Sequence, residues 1–262
     1  MTFDPIAVRL EAARSVVRDA ATLALAMRPP PGGPSGTLKG MQDYRTEADG
    51  AVETLISERS QALFPEDGFQ GEEGGTRRQV KYRWVVDPID GTSNFSRGRD
   101  RWCVSLGLLE GDTPVAGIID APALHEIFIA RRGHGATLNR KPIKASPISS
   151  TTEAMIEMGW SPRVPVGVFD QKIASIMALG AMPRSGGSGA MALADVACGR
   201  LDGYLEIVIN LWDVAAALVL LEEAGARVSA FLETGGLTGG ATILAAAPGV
   251  AEALSKAVDV EI

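Results

Sequence analysis

A chain of 262 residues, 46% hydrophobic and 22% charged, is long enough for a well-buried core and excludes a disordered protein. Its formal charge of −7, from 25 basic and 32 acidic side chains, repels nucleic-acid phosphates on average and argues against direct nucleic-acid binding. No run of about 18 uncharged apolar residues is available to cross a membrane, and Cys103 and Cys198, far apart and without a Cys-x-x-Cys, fit buried thiols in a reducing cytoplasm rather than a disulfide framework.

Asp4-Pro5 reads as an N-cap followed by proline at the first helical position. Ile6, Leu10, Ala13, Val17, Ala20 and Ala24 then recur at helical spacing. Glu11 and Asp19 interrupt that pattern, so it does not read as a secretory signal. The segment 28–36, rich in Pro and Gly, ends the helix and forms either a mobile lid or, as we favour, a surface connection. A second helix is predicted from Glu47 to Leu63, and a short apolar strand from Trp84 that ends at Asp87-Pro88. Residues 102–109, 115–120 and 125–130 read as mostly antiparallel strands.

Beyond about residue 150 strands and helices alternate. Strands are predicted over Ala154–Met158, Leu201–Ile207 and Thr242–Ala246. Helices are expected from a cap at Asp170 to Leu179, from a cap at Ser188 to Gly199, from Asp213 through Ala224, and over Val250–Val258. Asn139-Arg140 reads as a hairpin turn, and His125 and His134 as isolated structural or exposed residues.

Three acidic clusters stand out: Gly71-Glu72-Glu73-Gly74, Asp87-Pro88-Ile89-Asp90-Gly91-Thr92, and Trp212-Asp213. In the second, proline has a fixed φ and no amide hydrogen, so a turn is expected that folds both carboxylates toward one point. Gly91 lets the backbone approach a ligand, and Thr92 adds a hydroxyl. Two carboxylates and a carbonyl form a hard-oxygen set that suits magnesium, and the His and Cys ligands typical of zinc are missing from the cluster. Alone, Asp-x-x-Asp-Gly reads first as an ordinary turn, with a calcium loop as a further competitor.

The full string Trp84-Val-Val-Asp-Pro-Ile-Asp-Gly-Thr-Ser-Asn-Phe95 resembles the first signature of the inositol monophosphatase family. Gly71-Glu72-Glu73 resembles its glutamate motif, and Trp212-Asp213-Val-Ala-Ala running into Glu222-Glu-Ala-Gly225 is similar to its second signature. The match extends from about residue 40 to 230 in the same order. It implies a layered αβαβα sugar-phosphatase fold with two sheets between helix layers. An N-terminal half, residues 1–145, would carry the Glu and Asp-Pro-Ile-Asp-Gly-Thr motifs, and a C-terminal half, 146–262, the Trp-Asp motif and a substrate loop.

By the same resemblance, Glu72, Asp87 and the Ile89 carbonyl look like ligands of one metal, and Asp87, Asp90 and Asp213 like ligands of a second, with two or three magnesium ions in all. Glu72 and Thr92 resemble the pair that activates the attacking water, with Asp90 beside them in the catalytic set. The Gly91 and Thr92 amides resemble a phosphate cradle, while Asp90, Ser188, Gly189 and Glu206 match positions that lie against a polyol. Gly189 stands where inositol phosphatases often carry Ala, and Ala226 replaces a more usual glycine. Asp49 is either an outer acid of the water network or a helix N-terminal carboxylate, and Glu73 either supports the ligands or is exposed. The loop Ser185-Gly-Gly-Ser-Gly-Ala190 meets the substrate or serves close helix packing.

These readings imply magnesium-dependent hydrolysis of a small sugar or polyol phosphate, most simply inositol-1-phosphate, by a cytoplasmic homodimer. Histidinol-phosphate phosphatase on the same fold is the nearest alternative. An interaction protein, like those bacterial relatives that bind transcription or ribosome-assembly machinery, is an alternative of another class.

Overall fold

The computed structural model describes residues 4–41, 43–72, 74 and 80–262, so Glu73 of the glutamate motif lies outside the described residues. Helix α1 (Pro5–Met27) starts where the sequence placed it, with the Asp4 carboxylate accepting from the Ile6 and Ala7 amides. Two short strands, β1 (Thr37–Gly40) and β2 (Asp43–Arg45), pair antiparallel ahead of α2 (Glu47–Leu63). The sequence patterning does not announce this hairpin, because its residues neither alternate nor cluster by hydropathy.

The central sheet contains β3 (Gly68–Gly71), β4 (Tyr82–Asp90), β5 (Cys103–Glu110), β6 (Thr113–Ala121), β7 (Glu126–Arg131), β8 (Ala136–Leu138) and β9 (Lys141–Pro142), side by side in chain order. Among the described residues of this sheet only the β3–β4 pairing is parallel. The β8–β9 turn is the expected Asn139-Arg140 hairpin, both residues having positive φ. The four-residue helix α3 (Thr92–Phe95) lies between β4 and β5.

The second sheet has the order β11 (Met182–Arg184), β10 (Met155–Met158), β12 (Gly203–Ile209), β14 (Ala241–Ala246), β13 (Arg227–Val228). Its helices are α4 (Val166–Ala178), α5 (Gly189–Ala197), α6 (Leu211–Ala224) and α7 (Pro248–Val258).

Side-chain alternation along the strands explains the layering. In β4, Val86 packs with Ala13, Val17, Ala20, Val52 and Ile56 of α1 and α2. Its neighbour Val85 faces the opposite side, toward Ala190, Met191, Val214 and Ala215 of α5 and α6. Tyr204, Ile243 and Ala245 of the second sheet close over that same pair of helices, while Leu205, Leu244 and Ala246 face α4 and α7. The order is therefore α1/α2, sheet, α5/α6, sheet, α4/α7, which is the layered αβαβα fold expected.

Helix α6 approaches the central sheet at an unusually small separation. Gly107 and Gly117 are paired across β5 and β6. A Cβ on Gly107 would stand 2.7 Å from the Ala215 Cβ, and one on Gly117 would stand 2.3 Å from the Ala216 carbonyl oxygen. Two side-chain-free positions thus make a notch in which the helix backbone rests, and this seats the first turn of α6 beside the end of β4.

Three local expectations change. Strand β4 does not stop at Asp87; it continues through Pro88 to Asp90 with an irregularity in its pairing to β5 between those two aspartates. Proline deletes one ladder donor without ending the strand, because a bulge absorbs the loss. Helix α6 starts at Leu211 with Asn210 as N-cap, and Asp213 is its third residue. Helix α4 starts at Val166 after Pro165, so Asp170 lies within the helix rather than capping it.

Candidate metal and phosphate site

Asp87 and Asp90 stand at the two ends of the β4 bulge, both buried. The Asp87 carboxylate accepts from the Ile89 amide at 3.0 Å, which fixes the intervening Pro88-Ile89 peptide. Asp213 reaches the same point from α6, where its carboxylate accepts from the Asn210 amide at 2.8 Å. One oxygen from each of Asp87, Asp90 and Asp213 lies within 4.8 Å of the others. Residues more than 120 positions apart in the chain meet because α6 sits in its glycine notch.

Asp90 is held from the far side. It accepts from the Ser188 hydroxyl in a very short contact, from the Ala190 amide at 2.9 Å and from the Gly189 amide at 3.3 Å. Ser188 also accepts from the Met191 amide, as the N-cap of α5 should. The loop expected to meet substrate therefore grips a residue of the acidic cluster.

Burial pushes the pKa of Asp87 well above the ordinary carboxylate range, and the charges of Glu72, Asp90 and Asp213 add to it. Burial followed by the Asp90 charge does the same to Asp213. Asp90 is raised less decisively, since the donors of Ser188, Ala190 and Gly189 oppose the burial. Buried Asp87 and Asp90 beside half-buried Asp213, with burial and neighbouring charges pushing Asp87 and Asp213 up, form a site that a cation relieves. The donor set is all oxygen. The Cys103 thiol lies 3.8 Å from Asp90, but burial and the Asp90 and Asp87 charges push its pKa far up, so it stays protonated and offers no soft ligand. The residues present fit a hard divalent ion.

Glu72 is not one of the three whose oxygens meet. Its carboxylate accepts from Lys39 at 3.3 Å, yet its charge acts on Asp87. The Thr92 hydroxyl lies 2.9 Å from the Ile89 carbonyl oxygen and 3.3 Å from Asp49 Oδ1. The other Asp49 oxygen accepts from the Thr46 amide at 2.7 Å, so Asp49 is both a helix-capping carboxylate and a neighbour of Thr92. Gly91 has φ of 88°, and a Cβ there would meet the Arg101 carbonyl and Ser188 Cβ at 3.1 Å; only glycine allows the chain to turn into α3 at this place.

Glu206 lies at the middle of β12, where its pairing to β14 also shifts register between Glu206 and Ile209. Two bulges thus bring acidic residues of two sheets to one recess. Tyr204 donates its hydroxyl to Glu206. Burial pushes Glu206 up to about 7, with the Tyr204 hydrogen bond opposing and the Asp90 charge adding. A Cβ on Gly159 would stand 2.1 Å from a Glu206 carboxylate oxygen, and one on Gly189 would stand 3.2 Å from the Tyr204 hydroxyl, so glycines keep the recess open.

Sequence reasoning missed Tyr204, Asn94, Arg101 and Glu157, which surround these residues. Asn94 was inside the quoted signature string, but nothing in local patterning distinguishes its amide from any other. Among the described residues no helix is long and apolar enough to cross a membrane.

Comparison with known proteins agrees with this geometry. The family model described as "Inositol monophosphatase family" matches residues 7–260. An inositol-1-monophosphatase of Synechocystis is 40% identical over 194 residues, 72% of this chain and 67% of that protein. A Xylella fastidiosa protein named Nus factor SuhB is 39% identical over 195 residues, 74% of this chain and 71% of that protein. The structure of an inositol monophosphatase from Anabaena superposes with a TM-score of 0.82 at 31% identity, covering 98% of both chains. An acidic cluster fit for a divalent ion and a family match over nearly its whole length show that the chain belongs to the inositol monophosphatase family and is a phosphoric monoester hydrolase.

Proposed function

We propose that the protein hydrolyses a small sugar or polyol phosphate with magnesium, and that inositol-1-phosphate is its substrate. The observation that supports this most is the convergence of Asp87, Asp90 and Asp213 oxygens within 4.8 Å, beside the Thr92 hydroxyl and the Glu206 recess. Magnesium, as two or three ions, would be held by Glu72, Asp87, the Ile89 carbonyl, Asp90 and Asp213. When bound, it supplies positive charge for the phosphate oxygens and the leaving alkoxide and lowers the pKa of water.

The protein's own residues do the rest. Thr92, beside Asp49 and the Ile89 carbonyl, has a fixed hydroxyl that orients the attacking water together with Glu72. The Gly91 and Thr92 amides at the head of α3 bind phosphate oxygens. Ser188, Gly189 and Glu206 contact the hydroxyls of the leaving alcohol, with Glu206 accepting. The burial of Asp87 and Asp90 keeps the electrostatics strong. We also infer a cytoplasmic homodimer that does not bind nucleic acid directly.

The test is a substrate panel: inositol-1-phosphate, histidinol phosphate, fructose-1,6-bisphosphate and phosphoadenosine phosphate, each with and without magnesium. Inositol-1-phosphate should have the highest kcat/KM. A higher value for histidinol phosphate would replace the substrate assignment, and no turnover with any divalent ion would end the hydrolase reading. The SuhB name of the Xylella relative favours a second reading, an interaction role in transcription. Full rescue of a deletion strain by an Asp87→Asn variant would establish that role over catalysis.

A further inference from the structure

Behind the Ser188 loop lies an assembly of buried polar groups that no step above uses. Gly186 is held at both of its peptide groups. Its amide donates to Glu157 Oε1 at 3.0 Å, and its carbonyl accepts from Asn94 Nδ2 at 2.8 Å. The same Asn94 nitrogen donates to the Arg101 carbonyl at 2.7 Å. Arg101 then places one guanidinium nitrogen on Glu157 Oε2 at 2.7 Å and another on Asp195 of α5 at 2.7 Å. A Cβ on Gly186 would stand 2.3 Å from Arg101 Nε and 2.6 Å from Glu157 Oε1, so the loop backbone lies directly on the ion pair.

The connection is informative because of what it joins. Arg101 lies between α3 and β5, Glu157 is in β10 of the second sheet, and Asp195 is on the helix that Ser188 caps. Ser188, Gly189 and Ala190 hold Asp90. A path of hydrogen bonds therefore runs from Arg101 through Glu157 and Gly186 to the loop that orients the Asp90 carboxylate. Glu157 and Asp195 are buried and both pair with the Arg101 guanidinium, with Arg200 also 3.4 Å from Asp195; a planar guanidinium can bridge two carboxylates in this way and a lysine cannot.

Resting on the proposed hydrolase reading, we propose that Arg101, Glu157 and Asn94 are positioning residues that clamp the Gly186 peptide, so that the Ser188 loop holds Asp90 in its metal-binding orientation. Glu157 accepts at both oxygens. Glutamine replaces one of these acceptors with an NH2 group, so a donor then faces either the Arg101 guanidinium or the Gly186 amide, and one of the two contacts is lost. Asn94→Ala removes the hold on the other peptide group of Gly186, through its carbonyl.

The test compares wild type, Glu157→Gln and Asn94→Ala by magnesium titration calorimetry, by kinetics on whichever panel substrate the wild type turns over, and by thermal unfolding without metal. Both variants should bind magnesium about tenfold more weakly and show a raised KM, with kcat reduced less, while remaining folded at assay temperature. A purely structural role would lower Tm and the active fraction but leave the magnesium Kd and KM of the folded protein at wild-type values; that result overturns the proposal. Unfolding of both variants would also overturn it, since the network would then maintain the fold and not only the loop. Wild-type magnesium binding and turnover in the same experiment keep the hydrolase reading separate from this outcome.

Discussion

Asp90 accepts a hydrogen bond at 2.9 Å from the amide of Ala190, 100 residues further along the chain. A carboxylate of the acidic cluster therefore also closes the N-terminus of α5, where free amides and the helix dipole favour negative charge. This double use lets Asp90 stay closer to ionised than Asp87 or Asp213 in the metal-free protein. It also means that the acidic cluster and the Ser188 loop cannot move independently.

Removing one charge from the cluster should separate stability from function. Asp213→Asn and Asp87→Asn should abolish turnover while raising the metal-free Tm, because each relieves repulsion within the acidic cluster. A gain of about 1 kcal/mol, roughly 2–4 °C, is expected. Magnesium should raise the Tm of wild type and not of the variants. Calorimetric scans with magnesium and with EDTA measure both effects, and a lowered metal-free Tm would contradict the repulsion argument.

Glu206 gives a pH signature of defined sign. Its pKa in the folded protein is about 7 against an ordinary 4.5, so the folded state holds its proton longer than the unfolded state. Stability from this group is therefore fully present below about pH 4.5 and is lost as pH rises through about 7. In metal-free protein Glu206→Gln should flatten the decline of Tm between those values. An unchanged slope would show that Glu206 does not titrate there.

Thr92 tests the water-orienting role. Thr92→Ala removes a hydroxyl 2.9 Å from the Ile89 carbonyl oxygen and should lower kcat by roughly 100-fold with little change in magnesium affinity. Thr92→Ser should keep most of the activity. Steady-state kinetics with parallel magnesium titrations check this, and equal losses in the two variants would point to the methyl group instead.

Far from the site, Arg9 sets a stability benchmark. Its guanidinium pairs with buried Asp67 at 2.7 Å and lies 4.1 Å from the Tyr82 ring centre. Arg9→Ala should cost about 2 kcal/mol by urea unfolding. This is less than the ~3–5 kcal/mol for breaking a fully buried pair, because Arg9 is partly exposed and Asp67 keeps its bond from the Trp84 indole. Magnesium binding should be unaffected.

The individual elements and the acidic motifs were readable because they depend on local signals, whereas the layer order followed from the family resemblance. Apolar periodicity marked α1 and α2, and a buried run ending in Asp87-Pro88 marked the site strand. The continuation of β4 past Pro88 was not readable, since proline signals a break and only the partner strand shows that a bulge accommodates it. Glu157, Tyr204 and Arg101 escaped because their importance comes from partners distant in sequence: Arg101 meets Asp195, 94 positions on. Capping carboxylates also misled. Asp213 sits at the third position of its helix and accepts from the Asn210 amide, so its local environment is that of an ordinary helix start.

The paired Gly107 and Gly117 have a consequence for ion choice. Because α6 rests on bare backbone, the spacing between Asp213 and the β4 aspartates is set by van der Waals contact at the sheet. A single methyl at either glycine would act as a shim, lifting the helix and enlarging the oxygen cage. Calcium prefers longer oxygen contacts than magnesium, by roughly 0.3–0.5 Å. Gly117→Ala should therefore shift the binding preference measured by competitive titration toward the larger ion, so that discrimination between two cations resides in a pair of residues that touch neither.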